Sequence, residues 1–161
     1  MPRQKREKGF SLIELLIVVA IILIIASIAI PNLLRARISA NEASAVGSIK
    51  TINTAMISYM SAYPTVGYAA TLSALGGTSC APPNPGSACL IDTQLASGSK
   101  SGYNFTLSGV TGTPASTYEI VGAPAVANQT GVRYFCSFAD SQIRASVSPI
   151  AVCDYTTTPL Q

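Results

Sequence analysis

An unbroken apolar run near the start of the chain constrains the fold more than any other feature. Residues 10–30 read FSLIELLIVVAIILIIASIAI, which is 21 residues with a single charge, Glu14. A helix of that length, rising about 1.5 Å per residue, spans the ~30 Å hydrocarbon core of a bilayer. Its 15 Phe, Leu, Ile and Val residues each favour insertion by roughly 0.3 to 0.6 kcal/mol, which outweighs about 3 kcal/mol for one acid. We therefore expect residues 10–30 to form a transmembrane helix.

Charged residues are scarce and unevenly distributed. Only 11% of the residues are charged, against about a quarter in a typical soluble domain, which indicates a membrane, secreted or filament protein. The first nine residues hold four basic residues and one acidic residue, and the rest of the chain holds six of each. The positive-inside rule places the basic start in the cytoplasm, and the neutral remainder predicts no specific nucleic-acid binding.

Two simpler interpretations of the apolar run fit less well. A secretory signal peptide has a core of about 7 to 15 residues with small residues after it, whereas here the run is longer and Gly9 precedes it. A plain membrane anchor leaves Glu14 unexplained, because an unpaired acid in lipid is costly and usually functional.

The residues around Gly9 carry a specific motif. Residues 8–16 read KGFSLIELL, which resembles the class III leader and cleavage motif of type IV pilins and of type II secretion pseudopilins. The resemblance covers the leader, residues 1–9, and the whole apolar helix. It implies that a prepilin peptidase cuts after Gly9 and methylates the new N-terminal residue, Phe10. The family's glutamate, five residues into the mature chain, falls on Glu14.

The position of Glu14 suits a role in assembly. Phe10 and Glu14 are four residues apart, so they share one face of a helix. Cleavage creates an amine at Phe10, and the Glu14 carboxylate can pair with its own amine or with that of a neighbouring copy. A neighbour's amine sets the axial register between copies, and leaving either charge unpaired in a filament core costs several kcal/mol. We interpret Glu14 as an assembly residue rather than a catalytic acid.

A second helical segment, residues 31–63, follows the run. Pro31 either kinks or ends the first helix, and apolar residues then recur every three or four positions up to Tyr63, as in an amphipathic helix. Pro64 stops this pattern, because the residue before proline disfavours helix. We expect the hydrophobic half to protrude from a globular head and the amphipathic half to pack on it. The resemblance to pilins also implies an assembly role for Pro31, through unwinding of the helix around it.

The remaining residues, 64–161, are predicted to form an α+β head of the pilin fold together with the helix. Residues 64–100 are rich in Gly, Ser, Pro and Ala and are predicted to be loop. Residues 101–148 alternate as strands with one buried face do, which predicts a four-stranded antiparallel sheet before a C-terminal loop at 149–161. The four predicted strands are 102–107, 117–121, 132–138 and 142–147.

The last two predicted strands resemble the closing hairpin of many pilins and pseudopilins. The resemblance rests on GVRYFC at 131–136 and DSQIR at 140–144. Residues 139–141 are predicted to form the turn, with Asp140 accepting hydrogen bonds from backbone amides of that turn.

Four cysteines, none in a C-x-x-C pair, predict disulfides in an exported head. They are Cys80, Cys89, Cys136 and Cys153. Three connectivities are open, and we favour Cys80 with Cys89 and Cys136 with Cys153 because each closes a local loop. The second pair resembles the disulfide that closes the C-terminal loop in pilins. Each bond would contribute about 3 kcal/mol in the chain-entropy model.

No pattern of residues predicts an enzyme. The chain has no histidine, which excludes a histidine base or metal ligand, and no phosphate-binding loop or catalytic dyad is present in the sequence. Asp92, Asp140 and Asp154 lack the clustered spacing of a calcium loop. We expect no cofactor and no metal.

Three functions remain to be weighed. The resemblance implies a homo-oligomeric pilus subunit, anchored in the inner membrane as a precursor and assembled by a platform and an ATPase into a surface filament for adhesion, twitching motility or DNA uptake. The rival is a pseudopilin that forms a periplasmic piston; the four cysteines and the missing acidic cluster favour the pilin. An exported binding protein or enzyme on a simple anchor predicts no cut after Gly9 and no role for Glu14.

Overall fold

The structure, a computed structural model, describes residues 9–77, 80 and 82–160. The first eight residues of the predicted leader lie outside this part of the chain. The chain divides into two units, one ending at Ala36 and one beginning at Arg37. The α+β class predicted from the sequence is confirmed. The elements are α1 (Leu12–Ala62), α2 (Leu72–Leu75), α3 (Thr93–Ala96), β1 (Ser99–Lys100), β2 (Tyr103–Gly112), β3 (Ala115–Pro124), β4 (Tyr134–Phe138) and β5 (Arg144–Ser146).

Helix α1 runs without a break through Pro31. Proline removes one backbone donor from a helix, and here the remaining hydrogen bonds keep the helix continuous, so Pro31 does not end it. The last turn closes where the Tyr63 N–H donates to the Tyr59 carbonyl at 2.9 Å, and Pro64 follows. The helix therefore ends one residue before the boundary predicted at Tyr63.

The strands form one antiparallel sheet in the order β1-β2-β3-β4-β5. The sequence predicted four strands, and the structure has five in the described residues because the two-residue β1 is too short to leave a pattern. Strand β2 also continues to Gly112, past the end predicted for this strand at residue 107. The pairing of β2 with β3 is irregular between Ser108 and Thr111, and Gly109 takes a positive φ of 63° there, which glycine adopts at little cost.

The inner face of the sheet packs against α1. Tyr103 and Phe105 on β2, Tyr118 and Ile120 on β3, and Phe135 on β4 are all buried, which confirms the alternation predicted for β2 and β3. They belong to one hydrophobic cluster with the α1 residues Ala45, Ile49, Ile52, Ala55, Met56 and Tyr59. The sheet thus covers the apolar stripe of the amphipathic half of α1.

A buried polar network fixes the register of α1 on the sheet. Asn53 of α1 donates from Nδ2 to Ser137 Oγ at 2.9 Å and to the Ser141 carbonyl at 3.3 Å. The Tyr118 hydroxyl donates to Asn53 Oδ1 at 3.1 Å. Because buried polar groups are costly when unpaired, a shift of α1 along the sheet would leave several of these groups without partners.

Glu42 joins α1 to the segment that leads into β4. Its Oε1 accepts hydrogen bonds from the backbone N–H groups of Val132 and Arg133 at 2.9 and 3.1 Å, and Arg133 Nε donates to Oε2 at 2.8 Å. Burial raises the pKa of the Glu42 carboxyl, but these hydrogen bonds and the charge of Arg133 outweigh burial and hold the pKa below its ordinary value of 4.5.

The segment predicted as loop between α1 and the sheet contains two one-turn helices. The Thr71 side chain accepts from the Ala74 N–H and begins α2, and Asp92 Oδ1 accepts from the Leu95 N–H at 2.9 Å and begins α3. Each helix is too short to show a period in the sequence. The Cys80–Cys89 disulfide closes the loop between them, in agreement with the favoured pairing.

A C-terminal layer covers the other face of the sheet. Cys136 alternates with Phe135 and Ser137, so its side chain faces away from α1, and it is bonded to Cys153 as favoured from the sequence. Glu119 Oε1 accepts a hydrogen bond from the Cys153 N–H. The chain then runs back beside β5, where the Ala145 N–H donates to the Thr158 carbonyl at 2.9 Å.

The Arg144 guanidinium contacts Asp140 and Phe138 of the predicted closing hairpin, and Tyr155 beyond it. It donates to both oxygens of Asp140, at 2.6 and 3.2 Å, and its Cζ lies 4.3 Å from the Phe138 ring centroid and 5.4 Å from that of Tyr155. Asp140 Oδ1 also accepts from the Gln142 N–H at 3.0 Å, which confirms the role predicted for Asp140 in the turn.

Replacing Glu42 by Gln should destabilise the head at neutral pH and much less in acid. The charged hydrogen bonds of Glu42 contribute roughly 1 to 3 kcal/mol. Since the folded pKa lies below the unfolded one, this contribution is complete above the ordinary carboxyl range and is lost as the pH falls through the folded pKa. Denaturant unfolding of the full chain in detergent, at neutral and at acid pH, measures the contribution of Glu42 to the free energy of unfolding. Lys50→Gln, which changes an exposed charge, is the control, and an equal Glu42→Gln effect at both pH values would contradict the assignment.

Removing the Cys136–Cys153 disulfide by replacing both cysteines with alanine should cost about 3 kcal/mol of unfolding free energy. The matched variant replaces Cys80 and Cys89. Their sequence separation is 9 rather than 17, so the loop-closure entropy, and with it the loss of stability, should be smaller. A larger loss of unfolding free energy on replacing Cys80 and Cys89 than on replacing Cys136 and Cys153 would contradict this prediction.

Candidate cleavage and assembly segment

Helix α1 begins at a hydrogen bond made by Glu14. Gly9, Phe10 and Ser11 precede the helix, and Glu14 Oε2 accepts a hydrogen bond from the Ser11 N–H at 2.9 Å. Ser11 is thus the residue before the first helical position, and Glu14 is the third residue of the helix. A glutamate at that position that binds back to the cap residue is one half of a capping box.

This second role of Glu14 was not predicted from the sequence, although the Ser-x-x-Glu spacing ahead of an apolar run is itself a helix-start pattern. The helix start at Leu12 leaves the predicted cleavage site outside the helix. The Gly9–Phe10 peptide bond lies outside the helix, the Phe10 side chain is 84% exposed, and the space around the Gly9 Cα is open. Gly9 and Phe10, the two residues joined by that bond, are therefore both non-helical and exposed.

The apolar side chains that follow have no partner within the described chain. Every large apolar side chain from Phe10 to Ile30 is at least 46% exposed. The most apolar 18-residue window of α1 has a mean hydropathy of 3.2 and none of it is buried. By length and composition this part of α1 is able to cross a membrane. A signal sequence near the N-terminus passes the same test, and so does the core helix of a soluble protein, but such a core helix is mostly buried whereas this window is not.

The polar groups inside this segment are accommodated locally. Ser27 Oγ donates to the Ile24 carbonyl at 2.8 Å, as expected for a hydroxyl that bonds back to the preceding turn. Burial of this hydroxyl in an apolar environment leaves no donor unpaired. Glu14 makes a single hydrogen bond among the described residues, and Pro31 lies beyond the apolar run within the continuous helix.

The acids of the head have structural partners instead of forming a site. Asp92 caps α3 and pairs with Lys100 at 2.7 Å, and Asp140 pairs with Arg144. Asp154 accepts from the Thr156 N–H at 2.9 Å, and hydrogen bonds from the Thr156 side chain and backbone lower the pKa of the Asp154 carboxyl. Within residues 9–77, 80 and 82–160, no group of three or more His, Cys, Asp and Glu side chains is arranged to hold a metal ion.

Comparison with known proteins points to the same N-terminal segment. Residues 4–30 match the family model described as the prokaryotic N-terminal methylation motif. Over 56 residues, or 35% of its length, the chain is 46% identical to the type IV major pilin protein PilA of Myxococcus xanthus. Over 38 residues, or 24% of its length, it is 63% identical to the type IV wide pilus major component PilA4 of Thermus thermophilus.

Over these N-terminal residues the chain is similar to type IV major pilins. The matched parts span 26% of the Myxococcus pilin and 29% of the Thermus protein. No solved structure matches the chain significantly. Beyond the matched residues, the structure has a long helix with an apolar first half, an antiparallel sheet and two disulfides, an α+β arrangement like that expected of a pilin.

Proposed function

We propose that the chain is a structural subunit of a type IV pilus that polymerises through its N-terminal helix. The exposed apolar half of α1 carries this proposal. A contiguous apolar surface of that size is not stable in water, so it requires lipid before assembly and other copies of the same helix afterwards. Both environments are apolar on all sides, which suits a helix that is apolar around its whole circumference.

Glu14 supplies the specific contact in this proposal. Cleavage after Gly9 would leave a charged amine on Phe10, four residues from the carboxylate on the same side of the segment. An amine and a carboxylate in an apolar core are each stable only when paired. A pair formed between copies would select one axial offset among the many that a smooth apolar helix surface allows.

Such a pair also dictates an open assembly. Copies that face the same way in the membrane and are offset along the axis cannot make this contact reciprocally, as a two-fold dimer would, so the contact is heterologous. Heterologous contacts that do not close into a ring generate helical filaments. A fibre is therefore the product that this contact favours over a closed oligomer.

The processing and location follow from the same segment. A prepilin peptidase in the inner membrane would remove residues 1–9 and methylate Phe10, and an assembly platform and ATPase would then move the subunit into an extracellular filament, with Pro31 allowing the helix to adjust. The fibre would serve adhesion, twitching motility or DNA uptake. Both named relatives are pilus components, which favours this use over a pseudopilin's periplasmic piston.

Electron microscopy of filaments sheared from cells, with mass spectrometry of the subunit N-terminus, tests the proposal. We expect long fibres whose subunit begins with methylated Phe10, because the motif directs cleavage after Gly9. A subunit cleaved at Phe10 in the cell envelope without surface fibres would instead indicate the pseudopilin. An intact Met1 would overturn both and leave an anchored protein.

Replacing Glu14 by Gln separates the charge of this side chain from its capping hydrogen bond. The amide oxygen still accepts from the Ser11 N–H, so α1 should begin at the same residue, whereas the partner of the Phe10 amine is lost. We expect the variant to insert and to be cleaved, and the yield of sheared filaments to fall at least about tenfold, since an unpaired buried charge costs several kcal/mol.

Glu14→Ala, which removes the cap and the charge, is the matched variant for this experiment, and its filament yield should be no higher. Wild-type filament yield in Glu14→Gln would show that the charge does not hold the copies together. In that case Glu14 would act through the helix start alone.

A further inference from the structure

We propose that Arg35 binds the phosphate groups of phospholipids on the side of the membrane opposite the leader, and that this contact sets the depth of α1 in the bilayer. The inference rests on the membrane-anchored stage of the proposed function. It assigns a lipid headgroup as the partner of a residue that no other contact in the described chain explains.

The spacing of charges along the first unit matches a bilayer. Between Gly9 and Ala36 the only charged residues are Glu14 and Arg35. They lie 21 positions apart, which corresponds to about 31 Å along a helix, close to the ~30 Å thickness of the hydrocarbon core. When Glu14 is near one boundary of the core, Arg35 is therefore near the other.

Arg35 is chemically free to bind a phosphate. It is exposed, and its side chain, like those of Arg37 and Lys50, makes no hydrogen bond or ion pair with any described residue, whereas Lys100, Arg133 and Arg144 each pair with a carboxylate. Its guanidinium is always charged and can donate several N–H groups to a phosphate, and a lysine ammonium at the same position would supply the same positive charge. Long basic side chains near the ends of membrane helices extend their charge to the headgroups while the stem stays in the apolar region.

No aromatic residue replaces this anchor. Membrane helices are often held at the interface by Trp and Tyr, but the chain has no Trp and its first Tyr is Tyr59. The other basic residues near the apolar run are in the leader, and cleavage after Gly9 would remove them. In the precursor the leader's basic residues lie at the other side of the membrane, so in both forms Arg35 is the nearest basic residue on its own side of the run, and Arg37 is the next along the chain.

The depth of a single tryptophan tests this contact. Since the chain has no Trp, Ile28→Trp provides one reporter in the full precursor, reconstituted in vesicles of phosphatidylglycerol and phosphatidylcholine. Quenching by lipids brominated at different acyl positions measures its distance from the bilayer centre. With Arg35→Gln added, Arg37 should take the phosphate, and because it is two residues further on, the indole should move about 3 Å closer to the centre.

Two further variants sharpen the result. Arg35→Lys keeps a cation at the same position and should restore the original depth, whereas Lys50→Gln, which removes a charge far from the run, should leave the depth unchanged. Arg35→Gln with Arg37→Gln should shift the indole at least as far as Arg35→Gln alone.

Identical quenching profiles for the inserted reporter protein with and without the Arg35→Gln substitution would overturn the inference and leave the proposed function intact. A shift that Arg35→Lys fails to reverse would also overturn it, since the phosphate contact requires only the cation. Failure of the unaltered reporter protein to insert in any vesicle would instead overturn the membrane-anchored stage itself.

Discussion

The apolar first half of α1 is not buried by any described part of its own chain, and the proposed assembly depends on this constraint. In the first unit the helix is apolar on every side and exposed on every side. In the second unit the same helix is apolar on one face only, and the sheet covers that face through Ile49, Ile52 and Met56. One continuous helix therefore carries two kinds of surface, one completed within the chain and one that requires lipid or other copies.

The head is built so that its own carboxylates are used internally. Glu42 holds the segment before β4 on α1, Asp140 holds the closing hairpin through Arg144, and Glu119 holds the C-terminal layer at Cys153. Each contact joins two layers or two segments of the head, so these charges stabilise the fold. The acid in the apolar segment, Glu14, has only a local hydrogen bond, which leaves its charge available to another copy.

The parts of the fold that the sequence predicted are those with long or chemically distinctive patterns. The apolar run, the stop at Pro64, the buried faces of β2 and β3 and the favoured cysteine pairs all depend on several residues at a regular spacing or on a single strong constraint. The missed parts are short or depend on tertiary contacts. Strand β1 has two residues, and α2 and α3 are single turns that begin at the capping residues Thr71 and Asp92. Strand β2 continues past Gly109 because β3 pairs with it on both sides of an irregularity. For the candidate site, the cleavage, methylation and assembly roles stay predictions, and the capping role of Glu14 was missed although the Ser-x-x-Glu spacing indicates it.

The capping role and the assembly role of Glu14 are compatible because a carboxylate has two oxygens. Oε2 accepts the Ser11 N–H, and that bond turns the side chain back towards the start of the helix, where the positive end of the helix dipole also favours a negative charge. The side chain is thus held near Phe10 before any partner arrives, so less side-chain entropy is lost when an ion pair forms. A glutamate in the middle of the apolar run would lack both the cap and the dipole, and it would have to be desolvated without either compensation. The position of the acid at the third helical residue is therefore as important to the proposed assembly as its charge.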